Sequence, residues 1–116
     1  MKIDAAVFDE LLALKVEKKF EAHILYPGAP NEQIRIKCEA LINNLIDTLI
    51  NDLSSQPKQA FVLMKFKIHL ENFNGEDTEE KERVCEYCEQ IMEILGIESS
   101  DGVLNNWLYG FDPNNP

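Results

Sequence analysis

Two cysteines three residues apart, Cys85 and Cys88, have the spacing in this sequence that most suggests chemistry. A Cys-x-x-Cys pair is redox-active when it stands at the N-terminus of a helix, because the helix dipole lowers the thiol pKa. Here the pair lies about two turns inside a predicted helix, among glutamates whose carboxylates raise a thiol pKa. We therefore interpret Cys88 as a small buried apolar residue and Cys85 as a half-buried residue at its flank.

A metal site is the alternative use of these cysteines, completed by Cys38 and by one of two histidines, His23 or His69. A zinc site needs about four ligands of this kind. No second Cys-x-x-Cys pair and no paired histidines support it, so we predict no cofactor and no metal. A metal- or thiol-dependent protein that uses Cys38, Cys85 and Cys88 remains an alternative.

Motifs of the common enzyme classes are missing from the sequence. There is no GxGxxG or GxxxxGK[ST] loop for phosphates, and no HExxH, EF-hand or ExxH di-iron pattern. Neither histidine accompanies a serine or cysteine nucleophile in a recognisable arrangement. We therefore do not predict an enzyme.

The charge of the chain excludes several classes of partner. Its 21 acidic and 11 basic residues give a net charge of −10, whereas nucleic acids and anionic lipids require a basic surface. No apolar stretch approaches the roughly 18 residues of a membrane span. Asp4 stands where a signal peptide would have its apolar segment, and three cysteines are an odd number for a disulfide framework. We expect a cytoplasmic protein.

Four glutamates on the fourth predicted helix form the strongest functional pattern. Glu82, Glu86, Glu89 and Glu93 follow helical spacing and predict one continuous row of carboxylates. Like charges four residues apart destabilise a helix by roughly 0.2–0.5 kcal/mol per pair. The row is either a solvated face that keeps the protein in solution or a docking surface for a basic partner.

The first helix is predicted to begin at the N-cap Asp4, with Ile3 and Phe8 as a hydrophobic staple. Its buried face is predicted from helical spacing: Phe8, Leu11, Leu12, Val16 and Phe20. Residues 22–31 are predicted to be a loop that turns at Pro27-Gly28, and Pro30 is expected to open the next helix.

The second helix is the most apolar, which predicts a central position. Its stripe comprises Ile34, Cys38, Leu41, Ile42, Leu45, Ile46, Leu49, Ile50 and Leu53. Residues 57–73 are ambiguous, because Pro57 indicates a helix start whereas Phe66, Ile68 and Leu70 alternate with polar residues as in a strand. A lone strand would leave its backbone groups unpaired. We predict a helix; the strand would require two copies paired across a dimer.

The fourth helix is predicted to start with a capping box made by Asp77 and Glu80, and to end at Gly96 with Ile97 closing it. Its apolar stripe comprises Val84, Tyr87, Cys88, Ile91 and Leu95.

A last short helix is predicted after a cap at Ser99, Ser100 or Asp101. Its buried face comprises Val103, Leu104, Trp107 and Leu108. Gly110 is expected to end it, Phe111 to fold back, and residues 112–116 to form a loose tail.

A family resemblance also lies in this last part of the chain. The runs Glu98-Ser99-Ser100-Asp101-Gly102 and Trp107-Leu108-Tyr109-Gly110-Phe111-Asp112 resemble the C-terminal part of a small bacterial helical family of unknown function. The resemblance implies a helical fold and assigns no residue a role.

The sequence thus predicts an all-α, single-domain antiparallel bundle of four main helices plus a short C-terminal helix, over residues 1–116. We predict a small acidic module that binds a basic protein, and an immunity protein or antitoxin is the specific version. The candidate contact residues are Glu82, Glu86, Glu89, Glu93, Tyr26 and Tyr109. A self-associating structural protein, in the simplest case a homodimer, is a further alternative.

Overall fold

In a computed structural model of the chain, residue 1 and residues 3–111 are described and form an all-α fold. The helices are α1 (Ala5–Val16), α2 (Glu32–Asp52), α3 (Gln59–Leu70), α4 (Thr78–Leu95) and α5 (Val103–Tyr109), and a 3₁₀ turn, Glu71–Phe73, follows α3. No β-strand occurs within these described ranges. The predicted all-α bundle of four main helices plus a short fifth is confirmed. The tail predicted for residues 112–116 lies outside the described residues.

The five described helices contact one another in a closed ring, and the short α5 is a member of this ring. Helix α1 contacts α2, α2 contacts α3, α3 contacts α5, α5 contacts α4, and α4 contacts α1. The long helix α2 contributes the largest aliphatic part of the core: Ile42, Leu45, Ile46, Leu49 and Leu53. The predicted central position of α2 agrees with this burial.

Side-chain caps fix the starts of the first two helices. The Asp4 carboxylate accepts the N–H of Val7 at 3.0 Å, as predicted for an N-cap. The Asn31 side chain accepts the N–H of Ile34 at 2.9 Å, so α2 begins at Glu32, two residues after the start predicted at Pro30. Pro30 precedes the cap because Asn31 supplies the acceptor oxygen that proline lacks.

The predicted buried face of α1 is partly wrong. Leu12 is 46% exposed and Val16 is 82% exposed, whereas Val7, Leu11 and Leu14 are buried. Both sets follow helical spacing, because α1 is apolar on nearly every side, and periodicity alone could not choose between them. Phe20 is buried as predicted, but it lies in the connection beyond the end of α1.

The helix predicted for the ambiguous third segment is confirmed. It begins at Gln59 after Lys58, which offers no side-chain cap, rather than directly at Pro57. Its buried residues are Val62, Leu63, Phe66 and Leu70. Ile68, which the strand alternation would have placed beside Phe66, is half exposed.

The capping box predicted for α4 is wrong. Asp77 occupies the N-cap but makes no side-chain capping bond, and the Glu80 carboxylate instead accepts the hydroxyl of Tyr26 at 2.9 Å. The predicted end of α4 is correct, because Gly96 is left-handed with φ 73° and the N–H of Ile97 donates to Met92 O at 2.8 Å.

Helix α5 begins at Val103 after Gly102, and Ser100 contributes through its Oγ, which accepts the N–H of Leu104 at 3.4 Å. Leu104 is buried, while the other three residues of the predicted face are half-buried: Val103, Trp107 and Leu108. Phe111 is 57% exposed and does not fold back onto the core. Among the described helices, none is both long and apolar enough to cross a membrane.

Candidate interaction surface

The four predicted glutamates of α4 lie on its solvent side. Glu82, Glu86, Glu89 and Glu93 are all exposed, and we call them the acidic row. Only Glu86 is held by a basic residue, since Arg83 Nη1 lies 2.6 Å from its Oε2. Glu82, Glu89 and Glu93 form no ion pair within the part of the chain that the structure describes.

Grooves on both sides of α4 extend this anionic surface onto neighbouring segments. One groove, of about 600 Å³, lies toward α5 and carries Glu89, Glu93 and Glu98 on its walls. The other, of about 550 Å³, lies between α1 and α4 and carries Glu10, Glu17 and Glu93. Carboxylates therefore border both grooves, and Glu93 belongs to each of them.

The connection between α1 and α2, residues 17–31, is anchored by buried polar contacts. The N–H of Lys19 donates to Glu39 Oε1 at 2.7 Å, and its C=O accepts from Arg35 Nη1 at 3.2 Å. The Lys19 ammonium donates to the C=O of Lys15 and of Glu17, both at 2.9 Å, which satisfies carbonyls at the end of α1. Burial lowers the pKa of Lys19, although Glu39 and Glu17 act in the opposite direction.

Phe20 is the centre of this connection. Its backbone has φ 61°, which is unfavourable for a bulky side chain and costs on the order of 1–3 kcal/mol. Its N–H donates to the Tyr87 hydroxyl at 2.9 Å, and its C=O accepts from Ala29 N–H at 3.1 Å. Its ring lies 5.1 Å from that of Tyr87 and 6.5 Å from that of Phe73. These contacts hold the backbone of Phe20 in its left-handed conformation.

Tyr26, which was predicted as a contact residue, is largely buried. Tyr26 is only 4% exposed, because its ring packs against Phe20 and its hydroxyl donates to Glu80. Burial raises the pKa of Glu80; the Tyr26 hydroxyl lowers it, and Asp77 and Glu79 raise it further. Tyr26 therefore fixes the connection to α4 and offers little surface to a partner.

The residues that point outward are instead Ile24 and Leu25, which sequence reasoning missed. They form the tip of a tight hairpin, because His23 N–H donates to Tyr26 O at 2.8 Å and Tyr26 N–H donates to His23 O at 3.0 Å. Ile24 is 98% exposed and Leu25 is 89% exposed. Two consecutive aliphatic residues inside a predicted loop were the available signal.

Tyr109 is accessible, as its assignment as a contact residue requires. It is 56% exposed at the C-terminal end of α5, and its ring centroid lies 6.4 Å from that of Phe111. The structure does not join it to the acidic row. The role of Tyr109 as a contact residue therefore stays a prediction, separate from that of the four glutamates.

All three cysteines are free and buried, which corrects the half-buried position predicted for Cys85. Burial, reinforced by Glu76, raises the pKa of Cys38 to about 11, although Lys37 lowers it. Burial raises the pKa of Cys85 to about 12, and Glu89, Glu82 and Glu86 contribute to the rise. Burial raises that of Cys88 well above its ordinary value. Protonated thiols without solvent contact are poor nucleophiles and poor ligands.

The described residues contain no group of three or more His, Cys, Asp or Glu side chains placed to hold a metal ion. Of the two histidines, His23 lies at the base of the hairpin, and His69 is half-buried on α3 with an unpartnered Nδ1. Burial lowers the pKa of His69, and Lys65 lowers it further.

These features define the protein as a small all-α domain with an acidic surface and a buried aromatic connection. The chain belongs to the DUF4844 family, a domain of unknown function, which matches residues 2–112. The family resemblance noted at residues 98–112 therefore extends over nearly the whole chain.

A solved structure supports the fold. This chain is similar to the crystal structure of a DUF3571 family protein from Acinetobacter baumannii. The TM-score is 0.81, with 28% sequence identity over 90% of this chain and 89% of that chain. No curated protein matches this chain significantly. The comparisons thus establish the family and the fold, and they name no activity.

Proposed function

We propose that this protein is a binding module for a basic protein, which it recognises through the acidic row of α4. The observation that carries this proposal is that Glu82, Glu89 and Glu93 form no ion pair with any described residue, although all three are exposed on one helix. Unneutralised carboxylates of one sign attract a cationic partner over a distance and accelerate encounter.

The acids of the flanking grooves support the same proposal. Glu10, Glu17 and Glu98 widen the anionic surface beyond α4. An immunity protein or antitoxin that covers the cationic site of a toxin is the specific version we favour. It needs only such a surface and no catalytic group.

The experiment is a pull-down from lysate of the source organism at low and high salt. The test variant changes Glu82, Glu89 and Glu93 to lysine. The control variant changes three exposed acids elsewhere to lysine: Asp9, Glu21 and Glu71. Both variants change the net charge equally, so they separate the position of the acids from their number.

We expect the wild type and the control variant to retain one basic protein at low salt and to release it at high salt. We expect the test variant to retain none. Equal retention by both variants would show that total charge, rather than the acidic row, holds the partner. Retention that does not depend on salt would contradict the proposal, because exposed charges are screened.

The alternative that uses Cys38, Cys85 and Cys88 finds less support in the geometry. The thiols are buried and their pKa values are raised. We interpret them as core residues. Elemental analysis of untagged protein, with the rate of thiol labelling in the folded state, tests this interpretation.

A further inference from the structure

The hairpin tip and the acidic row adjoin each other. Residues 25–27 line a cleft of about 170 Å³ together with Glu79, Glu82 and Glu86 of α4. Leu25 therefore lies beside three carboxylates, and the exposed Ile24 precedes it at the same hairpin tip.

Turn chemistry does not explain Ile24 and Leu25 at this place. Neither residue has a positive φ, so this turn admits most residue types and does not require these two. Neither side chain contributes to the core. Large apolar side chains that are exposed together and bordered by polar residues are typical of interaction sites.

The base of the hairpin is rigid where its tip is exposed. Tyr26 is tied to Glu80, and the Arg83 guanidinium lies 5.9 Å from the Tyr26 ring while its Nη1 contacts Glu86 at 2.6 Å. The same residues thus position both the hairpin and one member of the acidic row. A preorganised surface loses little conformational freedom when it binds.

We propose that Ile24 and Leu25 are the apolar anchor of the interaction surface, and that they bind, with Glu79, Glu82 and Glu86, a basic segment carrying apolar side chains. This inference rests on the proposed function and adds the chemistry of the segment that is recognised. A second copy of the chain is disfavoured as the occupant, because it would bring two acidic rows together.

The test uses two labelled synthetic peptides, one of repeated Leu-Lys-Lys units and one of repeated Ser-Lys-Lys units. Their affinities for the full chain are measured by fluorescence anisotropy at about 50 mM and about 500 mM salt, which differ strongly in screening. The test variant carries Ile24→Ser and Leu25→Ser. The matched control carries Leu12→Ser and Val16→Ser, which removes two exposed aliphatic side chains from α1.

We expect the wild type and the control to bind the leucine peptide about tenfold or more tightly than the serine peptide, because aliphatic surface is buried. The test variant should bind both peptides equally, with its salt dependence intact. Circular dichroism should show all three proteins equally folded, since the changed residues are exposed.

A full preference for leucine in the test variant would overturn the inference and leave the proposed function standing. Failure of the wild type to bind either peptide in a salt-dependent way would overturn the proposed function itself. A wild-type dimer that persists at high salt and is lost in the test variant would also overturn the inference, because the tip would then be a contact between copies.

Discussion

The α1–α2 connection and the acidic row differ in how far their polar groups are buried and paired, and the difference is the reverse of what their sequence patterns suggest. Residues 22–31 were predicted as a loop, yet Tyr26 is buried and hydrogen-bonded to α4. Just before them, the buried Lys19 and Phe20 are hydrogen-bonded to α2 and α4. The acidic row belongs to a regular helix, yet most of its side chains contact no basic partner. The difference teaches that the polar groups that anchor the fold here are buried and paired, whereas those of the acidic row are exposed.

Phe20→Ala, in the α1–α2 connection, should have the largest effect on stability. Removing the buried ring should lower the free energy of unfolding by about 3–5 kcal/mol, because it leaves a cavity between Tyr87 and Phe73. Urea denaturation measures this loss. Leu25→Ala, in the same connection but at its exposed tip, should change stability by less than about 0.5 kcal/mol. Similar losses in both variants would mean that the connection is anchored uniformly.

Tyr87→Phe should have the next largest effect. It keeps the ring but leaves the Phe20 N–H buried without an acceptor, which should cost about 1–3 kcal/mol. Tyr109→Phe, at an exposed position, is the matched control and should leave the urea midpoint unchanged. An unchanged midpoint in Tyr87→Phe would show that the N–H finds another partner.

Glu80→Gln sharpens the comparison through pH. The raised pKa of Glu80 means that the folded state binds more protons than the unfolded state between the ordinary and the raised value. The wild type should therefore lose stability relative to Glu80→Gln as pH rises through this window. Tyr26→Phe removes the donor that favours the ionised carboxylate, so it should widen the window. A wild-type-to-Gln difference that stays constant from acid to neutral pH would contradict the assignment.

Neutralising the acidic row should have the smallest effect. Changing Glu82, Glu89 and Glu93 to glutamine should raise the free energy of unfolding by roughly 0.2–0.5 kcal/mol for each like-charge pair removed. High salt should abolish the gain. Glu39→Gln should act oppositely, because Glu39 accepts the Lys19 N–H and pairs with Arg35. A loss of stability in the triple variant would indicate an unrecognised structural role.

Much of the fold followed from periodicity and from helix-end signals. The wide apolar face of α2, the stripe of α4 and the stop at Gly96 specify helices because each signal is local. Helix α1 shows the limit, since an element that is apolar all round has no single face to predict. Its buried side was decided by the neighbouring helices.

The site could be predicted only where its chemistry is local. The exposure of the four glutamates of the acidic row followed from helical spacing. The burial of Tyr26 did not, because it depends on Glu80, which lies 54 residues away. Glu80 was misassigned to a cap for the same reason. Two aliphatic residues between His23 and Tyr26 were visible in the sequence, but only the structure shows that both are exposed.

The place of α5 in the ring has a consequence for synthesis of the chain. Helices α3 and α4 both pack against residues 103–109, and Leu104 completes the core between them. A nascent chain that lacks this segment would expose apolar surface of both helices. Closure of the core must therefore wait for nearly the last part of the described chain, and until then the earlier helices are vulnerable to aggregation and to proteases.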